Sequence, residues 1–202
     1  MGSKTQTGLL LMLGTIVSAI GWIGLYPADG TESAAEQAKK IMANPDISKI
    51  GILLGYGGMA AVFIGLFNIA RGMAAAGGKG SSYANIAFVL TVTLLTGLMI
   101  SAGLELGTTE ATSAAAGATL MGISIALGSS FQIVFGLTLV LLGIGIVLDK
   151  NLHIVAAAIT IIAGGLLLIG SCVEADVLGF AGWIGFVLAS LALGVLTIRS
   201  KS

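Results

Sequence analysis

The chain has 202 residues, only 9% of them charged, with nine basic and nine acidic side chains and a formal net charge of zero. Hydrophobic residues make up 56%, glycines number 31 and mean hydropathy is +1.07. A soluble domain of this size has too little interior to hide that much apolar surface. Without a charge excess or a Gly-X-Y period, the nucleic-acid-binding, disordered and collagenous classes are excluded as well. The composition predicts an all-α, polytopic integral membrane helix bundle, one transmembrane domain over 1–202.

The first uncharged stretch, 8–26, follows a terminus whose one charge is Lys4. It is longer than the apolar region of a signal peptide, so it is expected to stay as the first span. Gly2 does not open a myristoylation motif, because position 6 is Gln. Residues 27–49 form the one sizeable polar segment. Ser33 with Glu36 reads as a capping box, and Ala34, Ala35, Ala38, Ile41 and Met42 give a weak apolar stripe, predicting a short amphipathic helix along the outer surface. Asn44-Pro45 should end it, and Asp46 is placed to cap the next span.

Spans are then expected at 50–70, 84–104, 131–148, 154–171 and 177–198, each near the ~20 residues that cross ~30 Å of hydrocarbon. The glycine-rich connector around Gly77, Gly78 and Gly80 reads as flexible, and lacks the order and preceding strand of a phosphate loop. The uncharged run 111–148 is too short for two spans and a turn. It is read as one long helix, or as a re-entrant or interfacial segment leading into the fourth span. The count is therefore six.

With both termini inside, Lys4, Arg71, Lys79, Lys150, Arg199 and Lys201 are cytoplasmic, and Lys39, Lys40 and Lys49 are outside. That agrees with the positive-inside rule. A seven-span arrangement gives the same split, so span length decides.

Candidate sites are few. Cys172 is the single cysteine and His153 the single histidine, so neither a disulfide nor a metal or haem centre built by this chain alone is expected. His153 is read as an interfacial residue. Glu105, Glu174 and Asp176 on the outer rim are weak candidates for a hard cation such as calcium, with a solvated rim as the plainer reading. Thr93, Ser101 and Glu105 form a slowly drifting polar stripe. Gly51, Gly55, Gly58 and Gly65, with Gly136 and Gly143 on the fourth span, mark close helix packing. Gly21-Trp22-Ile23-Gly24 recurs as Gly182-Trp183-Ile184-Gly185, and Trp22 and Trp183 are expected as interfacial anchors.

With no catalytic constellation in sight, the leading expectation is a non-enzymatic membrane protein without cofactors. It would act as a packed subunit of a homo-oligomer or a larger membrane complex, with lipids and other membrane subunits as partners and no nucleic acid. The second expectation is a channel or facilitator for a small neutral or weakly polar solute.

Overall fold

The computed structural model describes residues 3–173 and 175–200, with the backbone alone for Asp176. The protein is 87% helical, with no strand among the described residues. Six helices are long and apolar enough to cross a membrane.

Helix α1 (Lys4–Ala19) is capped by the Ser3 hydroxyl and widens into a π-helical segment, Ile20–Leu25. The short α2 (Ala34–Ala43) carries both halves of the expected capping box, Ser33 with Glu36. Only Asn44 separates it from α3 (Pro45–Ala76), whose proline occupies the first turn, where its missing N–H costs nothing. Buried Ser48 secures this joint by donating to the carbonyl oxygens of Ile41 at 3.1 Å and Asn44 at 2.8 Å.

Next come α4 (Ser81–Thr109), α5 (Ala114–Asp149), α6 (Ile154–Cys172) and α7 (Asp176–Arg199). Almost all of the run 111–148 lies in α5, one unbroken 36-residue helix. Ser113 starts it by accepting a hydrogen bond from the Ala116 N–H at 3.2 Å.

Several helices overrun the apolar limits read from the sequence, because caps rather than hydropathy end them. Extending α3 to Ala76 shrinks the expected flexible connector to a tight turn, with Gly77 at φ 68°, a backbone that glycine adopts without strain. Asp149 accepts a hydrogen bond from the Gly80 N–H at 2.6 Å, which ties this turn to the α5–α6 turn. His153 caps α6 there, its Nδ1 accepting from the Val155 N–H at 3.2 Å.

The six long helices form a closed ring in the order α1, α3, α4, α5, α6, α7, with α7 returning to α1. Both ends of the described chain meet, with the Lys4 ammonium donating to the Ser200 carbonyl oxygen at 3.4 Å. The ring interior is filled by Phe63, Phe131, Phe135, Trp183 and Phe186, with Phe135 central and its neighbours' centroids 4.7–6.0 Å away. Leu11, Leu139, Leu167 and Leu193 are fully buried around them.

The glycines sit where backbones touch. A Cβ on Gly58 would lie 2.3 Å from the Ser18 nitrogen, and one on Gly55 would lie 2.6 Å from the Trp22 ring. Gly51 faces Leu25 and Tyr26, and Gly65 faces Leu11. The strip on α3 is therefore covered by this chain's own α1 and its π-helical continuation. Gly136 and Gly143 meet α6 at Gly164 and Ala157 in the same way.

A buried carboxylate at the α2 end

At one end of the ring, α2 packs chiefly on α5 and forms a small second layer. Ala38 and Ile41 of α2 pack on Met121 of α5, with Tyr26 against the same cluster. Beneath this layer lies Glu105, on the last turns of α4 and only 5% exposed. Its Oε1 accepts from the Tyr56 hydroxyl of α3 at 2.7 Å and from the Ser124 hydroxyl of α5 at 3.1 Å. The Tyr26 side chain also interacts with the carboxyl. Oε2, equally buried, receives no hydrogen bond from the described residues. Leaving a buried acceptor unsatisfied costs about 1–3 kcal/mol, so the arrangement is conspicuous.

An aromatic wall stands beside the carboxyl. The Trp22 ring meets Tyr26 at 4.8 Å and Tyr56 at 4.9 Å between centroids, both edge-on. The π-helical turn puts Trp22 and Tyr26 here, and the bare backbone of Gly55 lets the indole lie against α3. Among the described residues no basic group acts on Glu105. Two lysines at this end pair with other acids, Lys40 with Glu32 and Lys49 with Glu110. Outside the bundle, the Lys49 ammonium holds the Glu110 carboxyl below its ordinary range, first by hydrogen bonding and then by its charge.

Of the polar stripe, Ser101 and Glu105 are both buried, but Thr93 points out of the bundle with its hydroxyl 3.5 Å from the Val89 carbonyl oxygen of its own helix. Each four-residue step drifts ~40° around a helix, so Thr93 has left the face that Glu105 occupies. Of the proposed outer cation ligands, Glu174 and the Asp176 side chain lie outside the described residues. Helix α4 packs chiefly on α3 and α5 rather than on the α6–α7 hairpin, so Glu105 has its own surroundings. Among the described residues no group of three His, Cys, Asp or Glu gathers.

The two tryptophans turn inward: Trp22 to the carboxylate wall and Trp183 to Phe135 at 5.5 Å. The repeated tetrads share a local logic, with the first glycine in backbone contact, the tryptophan inward and the isoleucine out. Ile23 is 87% exposed and Ile184 48%.

Tyr26, Tyr56 and Ser124 were not singled out from the sequence. Tyr56 alone left a trace there, as a hydroxyl-bearing aromatic inside a glycine-rich apolar run. No protein-family model, curated protein or solved structure matches the chain.

Proposed function

We propose that this chain is an integral, multi-pass membrane protein that binds and carries a small polar ligand at Glu105, without enzymatic chemistry. One observation carries the reading: an ionisable side chain buried among apolar helices, hydrogen-bonded from two neighbouring helices. Such a residue is costly to bury and is usually kept for function. The single histidine lies at the other end of the bundle, so no acid–base pair forms around Glu105. The aromatic filling of the ring favours a carrier that rearranges over an open pore.

A hydrophobic carbodiimide adds to a protonated carboxyl in apolar surroundings, so it should label Glu105 in the wild type. Glu105→Gln should lose that label together with solute flux in proteoliposomes. Flux no greater than in empty liposomes across a panel of small polar solutes would overturn the reading. Membrane insertion is tested separately on a Cys172→Ser background. Ser3→Cys and Ser200→Cys should label from one side, proposed as cytoplasmic, and Ser113→Cys from the other. Labelling of Ser3→Cys and Ser200→Cys from opposite sides would sink the six-span arrangement.

The packed-subunit reading has one surface in its favour. With the glycine strip of α3 occupied by α1, it rests on the open apolar groove lined by Leu9, Leu13, Val17, Gly57 and Ala61, a cavity of about 490 Å³. Nothing stands within 4 Å of where a Cβ on Gly57 would lie. Gly57→Leu should therefore leave the monomer folded while shrinking any oligomer seen by native mass measurement.

A further inference from the structure

We propose that the ligand held at Glu105 is a dehydrated monovalent metal cation, for which sodium is the natural probe. This rests on the carrier reading above and names its ligand. The donors at the site are all oxygens: the Glu105 carboxylate and the hydroxyls of Tyr56 and Ser124, with Tyr26 beside them. Oxygen-only donor sets suit hard cations rather than soft transition metals. One Glu105 oxygen is buried with no hydrogen bond from the described residues, so the carboxyl keeps an unsatisfied acceptor for a bound cation.

Charge then selects the valence. The site holds one carboxylate and neutral hydroxyls, and among the described residues no other acid acts on Glu105. A single positive charge neutralises it. A divalent ion would leave a net charge buried among apolar helices, which is strongly disfavoured. The exchange balances simply: the protonated carboxyl releases one proton as the cation binds, and takes it back when the cation leaves. Groups facing the carboxyl are Tyr26, Tyr56 from α3 and Ser124 from α5, so Glu105 is the one acid among them.

Trp22 is a built-in reporter, because its ring lies against both tyrosines of the site. Purified full-length protein carrying Trp183→Phe would be titrated with sodium, potassium, choline and calcium chlorides at fixed ionic strength, following Trp22 fluorescence. The expected result is a saturable change with sodium, none with choline or calcium, and loss of the response in Glu105→Gln. Below the carboxyl's own titration point, the sodium needed for half-saturation should rise about tenfold per pH unit, as one-for-one competition with protons requires.

Tyr56→Phe keeps the carboxyl and the aromatic wall while removing one oxygen, and should weaken sodium binding about tenfold. It covers the case in which Glu105→Gln fails to fold. Radiolabelled sodium binding to the wild type provides a readout free of tryptophan changes. No saturable response to sodium or potassium, a response to calcium alone, or a sodium response that survives Glu105→Gln would overturn the proposal. Carbodiimide labelling and Glu105-dependent flux that persist without any alkali-cation effect would leave the carrier reading standing and remove only the cation.

Discussion

At the scale of single residues, the glycines divide sharply by what lies above them. Gly164 and Gly165 are neighbours on α6, yet a Cβ on Gly164 would stand 2.6 Å from the Gly136 carbonyl oxygen, whereas one on Gly165 meets nothing within 4 Å. Overpacking a tight contact typically costs ~1–3 kcal/mol, while glycine-to-alanine at an unhindered helix position gains up to ~1 kcal/mol. Gly164→Ala should therefore lower the midpoint of thermal unfolding in detergent, and Gly165→Ala should leave it unchanged or raise it. Equal effects of the two would contradict the α5–α6 contact. The same contrast applies on α3, between Gly58 against Ser18 and Gly57 at the groove.

At the scale of elements, α2 is held by its cap and by the layer beneath it. The Ser33 side chain and backbone bonds hold the Glu36 carboxyl below its ordinary glutamate range. A carboxyl whose folded value is depressed contributes stability above its unfolded value and loses it as pH falls through the folded one. Hydrogen exchange across α2 should therefore be slow near neutrality and accelerate, relative to the intrinsic rate, as pH drops below the ordinary glutamate range. Ser33→Ala should speed it at neutral pH, since losing such a cap typically costs ~0.5–2 kcal/mol. Protection unchanged in Ser33→Ala would mean that the Ala38 and Ile41 contacts with Met121 hold the helix alone. The layer itself comes from helix length. At ~1.5 Å per residue, the 36 residues of α5 run about 54 Å and the 19 of α6 about 28 Å, so α5 outreaches its neighbour on the α2 side.

At the scale of the whole molecule, ring closure depends on the first and last helices. A Cβ on Gly8 would lie 2.6 Å from the Gly194 carbonyl oxygen, and one on Gly194 would lie 2.6 Å from Met12. These contacts join residues nearly the full chain length apart, so α1 is held on one side by α7 and on the other by α3. Gly194→Leu should open the α1–α7 seam while sparing the α3–α4–α5 side. The measurement is hydrogen exchange by segment: faster exchange confined to α1 and α7 is expected, and uniform loss of protection would show that the ring unfolds as one unit.

Much of this architecture was legible in the sequence because hydropathy and caps are local properties. The long apolar stretches marked the six long helices, and Ser33 with Glu36 marked α2 before any contact was known. The extent of those helices was less legible, since α3 continues past its apolar limit to an end set by Gly77 and α5 starts well before residue 131, at the Ser113 cap. The glycines announced close packing but not the partner, because a small residue is equally suited to a helix of its own chain or of another. The site was hidden for the same reason. Glu105 read as a rim acid at the end of an apolar run, and Tyr26, Tyr56 and Ser124 lie on three other segments of the chain. Sequence by itself determined which segments are helices. Only the tertiary structure decided that α1 covers the glycines of α3 and that three side chains distant in sequence gather on one carboxylate. Those outcomes depend on the angular register of helices against one another, which pairwise packing sets and no single helix encodes.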